Sequence, residues 1–585
     1  MKGKVRVIII TLVLLLIGTG VLLWKVNDIS KKVTEQQEAS LREERDLLEE
    51  QKGKAIDETR SVDIIPLYMT GDKKNVVTTQ FKNVKEVYSV AKSAEVEENL
   101  TNIKKNKIFS LQDALWAYNP YGTNRNSMYV YFKSNGRCYC RYTISVKDEK
   151  IPDFTRTAQA GASGNLTKEH EYQITGLVAG QTNYITMRLY NESDELAEVR
   201  TFAVTVPKSR VRTPMLLDTV KGRSKSTISN GLFVVFEDGK KVSGVKKYAI
   251  LLYDNSGVLR GEIPTDGYCG RNMEEVYDTM LFASSRTQVS QINALGQVVK
   301  TLPTSGYRQD GEFTYDGYGS IFMIASENRK KAVPRSKVIK VELEDGKVSE
   351  MVDMNNLLEH VYNNAVKKAK KQNVDWVGLN SVRVVDAGTL LLSAKNISSI
   401  LKVSNIGSLM TKVDYIIADK KLYEPYKSLR KKVLTKSAGE DAGEEPEETP
   451  VVNNILHKPV KKDPFESQYG QEALGYRARS AEGQSTVTLL NCNVGNGAKS
   501  NGESYYYSYF VDEAAKTYEL RETKALDQTK RDGNAVAQKD SFIYCCSDEN
   551  LFTETDKDGK LIRQYSTKER PYRVYKKDFK GFWYY

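Results

Sequence analysis

"INALGQV" (Ile292–Val298) combines two apolar strand ends with a turn that runs from Asn293 to Gly296. Asn and Gly are favoured in tight turns between antiparallel strands, so the stretch predicts a hairpin. Three further stretches repeat the pattern of a strand end, an Asp/Asn-x-x-Gly or Asp-Gly turn and a new strand: "YDNSGVL" (Tyr253–Leu259), "ELEDGKV" (Glu342–Val348) and "TDKDGKL" (Thr555–Leu561).

Apolar strands of similar sequence lie between these hairpins: "DTMLFAS" (Asp278–Ser284), "SIFMIAS" (Ser320–Ser326) and "TLLLSA" (Thr389–Ala394). Strands and hairpins that repeat roughly every 40 to 50 residues are typical of a β-propeller, and counting the units predicts about six blades. We assign residues 208–585 to this propeller. Residues 435–463 are acidic and contain proline, which predicts an exposed loop within it.

Alternating polar and apolar residues characterise the preceding part of the chain, residues 61–207. Ser127–Ser134, Cys138–Val146 and Asn183–Tyr190 have the period of two that predicts strands, with polar turns between them. The stretch "YQITGLVAGQTNYITM" is typical of a strand, a turn and a second strand in a sandwich of the fibronectin type. We therefore predict an all-β protein, with a small β-sandwich before a six-bladed β-propeller.

The amino-terminal 25 residues predict a membrane anchor. Lys2, Lys4 and Arg6 precede the uncharged run Val7–Trp24. As a helix this run would extend about 27 Å, enough to cross a slightly thin bilayer. The basic flank places the amino terminus inside and the bulk of the chain outside the cytoplasm, on a single-pass protein of the cell membrane. A cleaved signal peptide is the alternative. Residues 26–60 are polar and charge-rich, which predicts a helical stalk.

Composition excludes some classes of function. A chain of 585 residues is too long for one hydrophobic core, so several domains are expected. The net charge of +12 would suit nucleic acid, but there is no basic helix or recognised module, and a cationic protein at an anionic cell surface is the simpler interpretation. No Cys/His cluster predicts a metal site or a cofactor. The six cysteines do not form a disulfide framework: Cys138, Cys140, Cys269, Cys492, Cys545 and Cys546.

Several long stretches together resemble the bacterial aryl-sulfate sulfotransferases, over about residues 60–585. In the sandwich these are "NPYGTNRNSMYVYF", "IPDFTRT" and "HEYQITGLVAGQTNYITM". In the propeller they are "INALGQVVKTL", "GYRQDGEFTYDGYGSIFMIAS", "VDWVGLNSV", "GTLLLSAKNISSILKVSNI" and "FESQYGQEALGY", in the order found in the family. Because many segments match in order, the resemblance implies the fold of the family over both domains.

The resemblance also implies a reaction. Members of the family transfer a sulfuryl group from one phenol to another without a nucleotide cofactor. A histidine at the centre of the propeller attacks the sulfate ester, because a neutral imidazole is nucleophilic and its adduct is labile. Further histidines and an arginine stabilise the charge that develops on the sulfuryl and phenolate oxygens.

The sequence differs from the family at these positions. The paired histidines fall on Asp310 and Gly311, a third falls on Gly378, and the arginine falls on Lys395. The nucleophilic histidine falls on Glu472, or in a second alignment on Ser485, while Asn380 is retained. The three histidines of the chain, His170, His360 and His457, match none of these positions and are expected to have surface or structural roles.

Three functions are compatible with these differences. The first is a catalytically degenerate propeller that binds a phenolic, cationic or glycan ligand, or a partner, in its channel. The carboxylates of Asp310 and Glu472 favour it, since two anions about 4 Å apart repel by roughly 4 kcal/mol and would disfavour a sulfate ester. A purely structural alternative for these residues is a salt bridge between Glu472 and Lys395. The second is an aryl-sulfate sulfotransferase with altered active-site chemistry, and the third is an envelope scaffold or adhesin.

Overall fold

The computed structural model describes residues 64–160, 165–226, 230–237, 239–329, 334–371, 373–437, 467–495 and 503–585. The predicted anchor (residues 1–25), the predicted stalk (residues 26–60) and most of the predicted acidic loop lie outside these ranges. Among the residues that the structure describes, no helix is long and apolar enough to cross a membrane.

The first domain contains an eight-stranded sheet and two helices. Its longest strand, Ser127–Ser145, pairs with four other strands and merges the two strands predicted at Ser127–Ser134 and Cys138–Val146. The predicted turn between them is wrong, because the chain passes this region with only a register shift between Lys133 and Cys138. The strands are β1 Ile64–Leu67, β2 Val76–Thr78, β3 Leu115–Tyr118, β4 Ser127–Ser145, β5 Phe154–Thr157, β6 Thr167–Thr175, β7 Thr182–Tyr190 and β8 Leu196–Thr205, and the helices are α1 Val84–Val87 and α2 Val90–Asn106.

Helix α2 was not predicted from the alternating pattern of this domain. Ser89 caps its amino terminus by accepting a hydrogen bond from the backbone N–H of Lys92 (3.2 Å). Val96 and Leu100 are buried, and the hydroxyl of Ser93 accepts a hydrogen bond from the backbone N–H of Val298 in the propeller (2.9 Å). The helix therefore packs between the two domains, which sequence periodicity over a single domain does not reveal.

The second domain is a six-bladed β-propeller, as predicted, with one sheet for each blade. The first three blades contain β10 Leu232–Glu237, β11 Lys240–Val242, β12 Val245–Tyr253 and β13 Leu259–Thr265; β14 Met273–Val276, β15 Thr279–Ser285, β16 Gln288–Ile292 and β17 Val298–Pro303; β18 Tyr307–Tyr315, β19 Ser320–Glu327, β20 Lys337–Glu342 and β21 Val348–Asp353.

The remaining blades complete the ring. The fourth blade contains β22 Leu379–Asp386, β23 Thr389–Ala394, β24 Ser399–Ser404 and β25 Lys412–Ile417. The fifth blade contains β26 Thr435–Lys436, β27 Glu472–Ala478, β28 Gln484–Asn491, β29 Ser504–Asp512 and β30 Thr517–Leu526. The sixth blade contains β31 Asn534–Ala537, β32 Ser541–Cys546, β33 Leu551–Asp556 and β34 Leu561–Ser566. Helices α3 Met354–Leu357, α4 Glu359–Ala369 and α5 Lys427–Arg430 lie in connections, and His360 lies on α4.

Both ends of the propeller chain close the ring. The carboxyl-terminal strand, β35 (Pro571–Lys577), pairs with β10 and forms the inner edge of the first blade. The strand before the first blade, β9 (Asp218–Lys221), pairs with β34 and extends the outer edge of the sixth blade. The first and last blades are therefore each completed by a distant part of the chain.

All four predicted hairpins are confirmed as the connections β12–β13, β16–β17, β20–β21 and β33–β34. At the second of them, the backbone N–H of Gly296 donates to the carbonyl of Asn293 (2.9 Å), and Gly296 has φ +84°, a conformation that glycine adopts without steric cost. The sandwich contacts this turn, since the hydroxyl of Thr123 donates a hydrogen bond to the carbonyl of Gly296 (2.6 Å).

A buried arginine joins the domains. Arg260 on β13 is 1% exposed and forms a salt bridge with Asp254 (2.7 Å). Its terminal nitrogens donate to the carbonyls of Gly176 (3.1 Å) and Pro152 (2.8 Å) in the sandwich.

Six strands line the central channel: β14, β18, β22, β27, β31 and β35, each at the edge of its sheet and in contact with a neighbouring edge strand. They run in one direction, so the residues at their starts meet at one end of the channel. We call this end the N-terminal mouth. The ends of β18, β22 and β27 form the opposite opening, where Tyr315, Arg383 and Tyr476 line a cavity of about 550 Å³.

Candidate functional site

Glu472, the first residue of β27, lies at the N-terminal mouth and is 1% exposed. Its Oε1 accepts hydrogen bonds from Lys395 Nζ (2.8 Å) and from the backbone N–H of Asp532 (3.1 Å), and its Oε2 accepts one from Arg573 Nη2 (3.2 Å). Burial acts to raise the pKa of Glu472, but the positive charges of Lys395 and Arg573 outweigh it and lower this pKa to about 2. The side chain is therefore a carboxylate with donors on both oxygens.

A row of alternating charges continues from Glu472 along the channel. Arg573 is fully buried and donates through Nη1 to Glu312, which in turn accepts from Arg383. The row thus runs Lys395, Glu472, Arg573, Glu312, Arg383 and extends from the N-terminal mouth to the cavity at the opposite opening. Breaking one member leaves a buried charge without its partner, so the row is expected to hold these side chains in place.

Arg573 also ties the row to the fourth blade. Its Nη2 donates to the carbonyl of Asn380 and to the hydroxyl of Ser381, both at 3.2 Å. The Asn380 side chain donates to the carbonyl of Gln471 (2.7 Å), the residue before Glu472. Within the described part of the chain, the buried Oδ1 of Asn380 has no hydrogen-bond donor.

Gly378 precedes β22 and cannot be replaced without strain. Its φ is +58°, in the left-handed region that residues with a Cβ rarely adopt. A Cβ at this position would lie 2.6 Å from Cγ of Asn396. Asn396 is itself held by a hydrogen bond from its amide to the carbonyl of Asp375 (2.6 Å). The local backbone therefore suits glycine, whatever residue the family has here.

Asp310 and Gly311 lie in an irregular part of β18 and have other partners. Asp310 pairs with Arg286 (2.7 Å) and Arg308 (3.2 Å). A Cβ on Gly311 would lie 2.8 Å from Cβ of Ile324 in the neighbouring strand. The carbonyl of Gly311 accepts a weak hydrogen bond from the hydroxyl of Tyr268 (3.4 Å).

The carboxylates do not produce the repulsion that the sequence suggested. Asp310 and Glu472 each contact two cationic side chains, so their charges are balanced locally. The salt bridge between Glu472 and Lys395, the alternative considered for these residues, is confirmed at 2.8 Å. Ser485, the second candidate for the nucleophile position, lies one residue into β28 and is buried.

The two described histidines lie away from these residues. His170 is buried in the sandwich, where its ring nitrogens contact the hydroxyls of Ser134 (2.8 Å) and Tyr172 (2.7 Å) and its ring stacks on Phe132. His360 is exposed on α4. His457 lies outside the described residues.

Two family descriptions match the chain in sequence. "Arylsulfotransferase (ASST)" matches residues 217–534, more than half of the 585 residues. The chain belongs to the arylsulfotransferase family. "Arylsulfotransferase Ig-like domain" matches residues 115–207, which form most of the sandwich strands. The arylsulfotransferase matches therefore cover both domains that the structure describes.

The solved structures that resemble this chain show only a general likeness to it. Similar solved structures include a periplasmic gluconolactonase from Pseudomonas aeruginosa (10% identity, 74% of this chain and 99% of that chain, TM-score 0.31). A hypothetical selenium-binding protein from Sulfolobus tokodaii matches at 10% identity over 68% of this chain and 92% of that chain, with a TM-score of 0.32. These scores are too low to carry an argument about function. Among curated proteins, no sequence matches.

Four of the six positions assigned from the arylsulfotransferase resemblance meet at the N-terminal mouth: Gly378, Asn380, Lys395 and Glu472. Gly378 and Lys395 are joined by a backbone hydrogen bond (3.3 Å), and Lys395 by its side chain to Glu472. Asp310 and Gly311 lie on the neighbouring inner strand with the separate partners described above. The assignment of arylsulfotransferase roles to these positions stays a prediction.

Sequence reasoning missed the residue at the centre of the site, Arg573. It lies in "PYRVYKK", near the end of the chain and far from every quoted motif. The signal that could have found it is closure of the ring: in a propeller whose last strand joins the first blade, that strand lines the channel. Tyr572 on the same strand was missed for the same reason. Arg271 and Asp532 precede the inner strands β14 and β31 and lie outside every quoted motif.

No metal centre is evident among the described residues, where no group of three or more His, Cys, Asp or Glu side chains could hold an ion. All six cysteines are buried, and none of them forms a disulfide in the described part of the chain. Burial raises the pKa of the Cys492 thiol, which lies near Glu472, well above its usual value, so this thiol is not activated as a nucleophile. The absence of a cofactor stays a prediction from the sequence.

Proposed function

We propose that this protein is a catalytically degenerate, membrane-anchored member of the arylsulfotransferase family that binds a ligand or partner at the N-terminal mouth. One observation carries the proposal: the carboxylate of Glu472, at the position assigned to the nucleophile, is engaged by Lys395, Arg573 and the backbone of Asp532.

The contacts of Glu472 argue against attack on a sulfate ester. A nucleophile needs an accessible lone pair, whereas both oxygens here accept charge-assisted hydrogen bonds and the side chain is buried. Its lowered pKa also makes the carboxylate a weaker nucleophile than an ordinary one. Attack would give a mixed anhydride and would require Lys395 and Arg573 to release their partner.

The candidate binding positions are Asp310, Gly311, Gly378, Asn380, Lys395 and Glu472. The unpaired Oδ1 of Asn380 supports a polar ligand or an ordered water at this place, because a buried acceptor without a donor is costly. Candidate ligands are a phenol, a cation or a glycan, and nucleic acid is not expected. The alternative function, sulfuryl transfer with altered chemistry, would use the same positions.

A transfer assay on the full chain in mild detergent tests the proposal. We expect 4-nitrophenyl sulfate and a phenol acceptor to give no more 4-nitrophenol than a protein-free control. Turnover that is lost in Glu472→Gln, but kept in a variant of the distant salt bridge Lys107→Gln, would overturn degeneracy and establish the altered enzyme.

The location rests on the sequence of the first 25 residues. We propose that residues 7–24 anchor the protein in the cell membrane and that the two domains lie outside the cytoplasm. Full-length protein should sediment with membranes and be cut by protease added to cells without a wall. A chain lacking residues 1–25 should remain inside the cell; exposure of that variant at the surface would contradict the assignment.

A further inference from the structure

The cavity at the opposite opening of the channel lies at the far end from Glu472. Its volume of about 550 Å³ is within the range of about 300–1,000 Å³ that is usual for ligand-binding clefts. The lining comes from the ends of β18, β22 and β27 and from the turn between β18 and β19, on three consecutive blades. The positions assigned from the arylsulfotransferase family are not among the lining residues.

Three tyrosines line this cavity: Tyr315 at the end of β18, Tyr318 in the turn that follows, and Tyr476 on β27. Tyr318 is 88% exposed, although its turn is fixed, because the carboxylate of Asp316 accepts a hydrogen bond from the Tyr318 backbone N–H (2.7 Å). A fixed turn therefore holds a large aromatic ring in water, where its apolar face is unfavourable. Such a ring gains free energy when a flat apolar surface covers it.

Tyr476 adds a hydrogen-bond donor to the cavity. Burial, together with the charges of Glu513 and Asp386, raises the pKa of Tyr476 above its ordinary value, so its hydroxyl keeps its proton at neutral pH. In the part of the chain that the structure describes, this hydroxyl has no hydrogen-bond partner. The half-buried ring thus presents both an apolar face and an unused polar group.

Arg383 supplies further donors beside the tyrosines. Its Nη1 is engaged by Glu312 and by the carbonyl of Val382 (2.6 Å). Within the described ranges, its Nε and Nη2 form no hydrogen bond, and 23% of its side chain is exposed. Because Nη1 already anchors the guanidinium, the other nitrogens can donate to a ligand with little further loss of side-chain entropy.

The charges around the cavity disfavour an anionic ligand. Asp316 and Asp386 line it and form no salt bridge within the described part of the chain, whereas the charge of Arg383 is balanced by Glu312. A cation would be attracted by the two carboxylates but repelled by the guanidinium. A neutral ligand rich in hydroxyls suits all of these groups, since a hydroxyl donates to a carboxylate and accepts from a guanidinium or a phenol.

We propose that this cavity binds a neutral oligosaccharide. A pyranose unit has apolar faces of C–H groups and an edge of hydroxyls. The faces pack on the rings of Tyr318 and Tyr476, and the hydroxyls bond to Arg383, Asp316 and Asp386. The inference goes beyond the proposed function, which concerns the N-terminal mouth at the other end of the channel, and it does not depend on that function.

Titration calorimetry of the full chain with cellotetraose and with tetra-N-acetylchitotetraose tests the site, in a detergent without a sugar head group. We expect saturable binding of at least one oligosaccharide, weakened about tenfold or more in Tyr318→Ala and about fivefold in Tyr476→Phe, which loses one hydrogen bond. Tyr318→Ala removes an exposed side chain, so the fold should persist. The matched control is Tyr585→Ala, which removes an exposed tyrosine outside the cavity and should leave binding within about twofold.

The two oligosaccharides and an organic cation separate the classes of ligand. Tighter binding of the acetylated tetramer assigns the site to glycans with acetamido groups, tighter binding of cellotetraose assigns it to plain glucans, and either result supports the inference. Binding of choline that is lost in Tyr318→Ala, without binding of either oligosaccharide, would show a cation site and overturn it. No oligosaccharide binding by the wild type, or equal binding by the wild type, Tyr318→Ala and Tyr476→Phe, would also overturn it. Sulfuryl transfer, scored separately as release of 4-nitrophenol, bears on the proposed function alone.

Discussion

Glu472 and its two cations show what single residues contribute at the N-terminal mouth. From sequence, Glu472 and Asp310 appear as two negative charges in a channel. In the structure each is paired, and the guanidinium of Arg573 that balances Glu472 comes from a strand that no motif identified. The positions of Lys395 and Glu472 could be assigned from sequence, but the sign of the local charge could not, because it depends on partners that are distant along the chain.

Replacement of Glu472 by Gln should destabilise the protein. Lys395 would lose its carboxylate partner and the buried Arg573 would keep only Glu312, and breaking a buried pair costs about 3–5 kcal/mol in the free energy of unfolding. Denaturant unfolding of the single variants and of Lys395→Gln/Glu472→Gln measures this effect. The double variant should lose less than the sum of the single losses, and strict additivity would show that the pair does not interact.

Gly378→Ala should also destabilise the protein, by about 1–2 kcal/mol for the left-handed backbone alone. Displacement of Asn396 from Asp375 would add to this loss. The matched control is Gly388→Ala in the same blade, where φ is not positive and the nearest atom to an added Cβ is 3.8 Å away. Equal unfolding midpoints for the two variants would contradict the constraint at Gly378.

At the scale of elements, hairpins and apolar strands were predictable because their signals are local. A few neighbouring residues specify the turn at Asn293–Gly296, and the same holds for the other three hairpin turns. Helix α2 and the single long strand β4 were not predicted, since both depend on contacts beyond their own segment. The irregular part of β18, where Asp310 pairs with Arg286 and Arg308, likewise depends on pairing with β19.

Strand β6 carries a pH-sensitive contact in the sandwich. Burial lowers the pKa of His170 from its ordinary value of 6.5 to about 4, so the folded protein holds this ring neutral. Between pH 6.5 and pH 4 the unfolded chain binds a proton that the folded chain does not, and the free energy of unfolding should fall with falling pH, by up to about 3 kcal/mol.

Unfolding of wild type and His170→Gln at pH 7 and pH 4.5 isolates the effect of His170. The variant should lose less stability on acidification, because its side chain does not titrate. Parallel losses in the two proteins would show that His170 is not responsible. Glu472 does not interfere, since its lowered pKa places its own loss of stability below pH 4.5.

At the scale of the whole molecule, closure of the ring links fold and site. The number of blades could be counted from the repeats, but the strand that completes the first blade comes from the end of the chain. Because this strand carries Tyr572 and Arg573, a segment more than 300 residues along the sequence from β10 completes the channel. The two domains are joined by buried contacts such as those of Arg260, whose partners no periodicity predicts.

A chain that ends at Arg570 should therefore fail to form a stable propeller. It lacks β35, which pairs with β10 along its length, and it leaves Glu312 and Glu472 without Arg573. Removal of Tyr585 alone, which is 60% exposed, is the control and should leave the melting temperature nearly unchanged. Cooperative unfolding of the shorter chain at the wild-type temperature would contradict the proposed closure.

The central claim is that a salt-bridged carboxylate occupies the place of the arylsulfotransferase nucleophile and does not react. Intact-protein mass spectrometry after incubation of the full chain with 4-nitrophenyl sulfate, without an acceptor, tests it most directly. We predict an unchanged mass at every time point. A mass increase of one sulfuryl group, mapped to Glu472 and absent in Glu472→Gln, would contradict the claim.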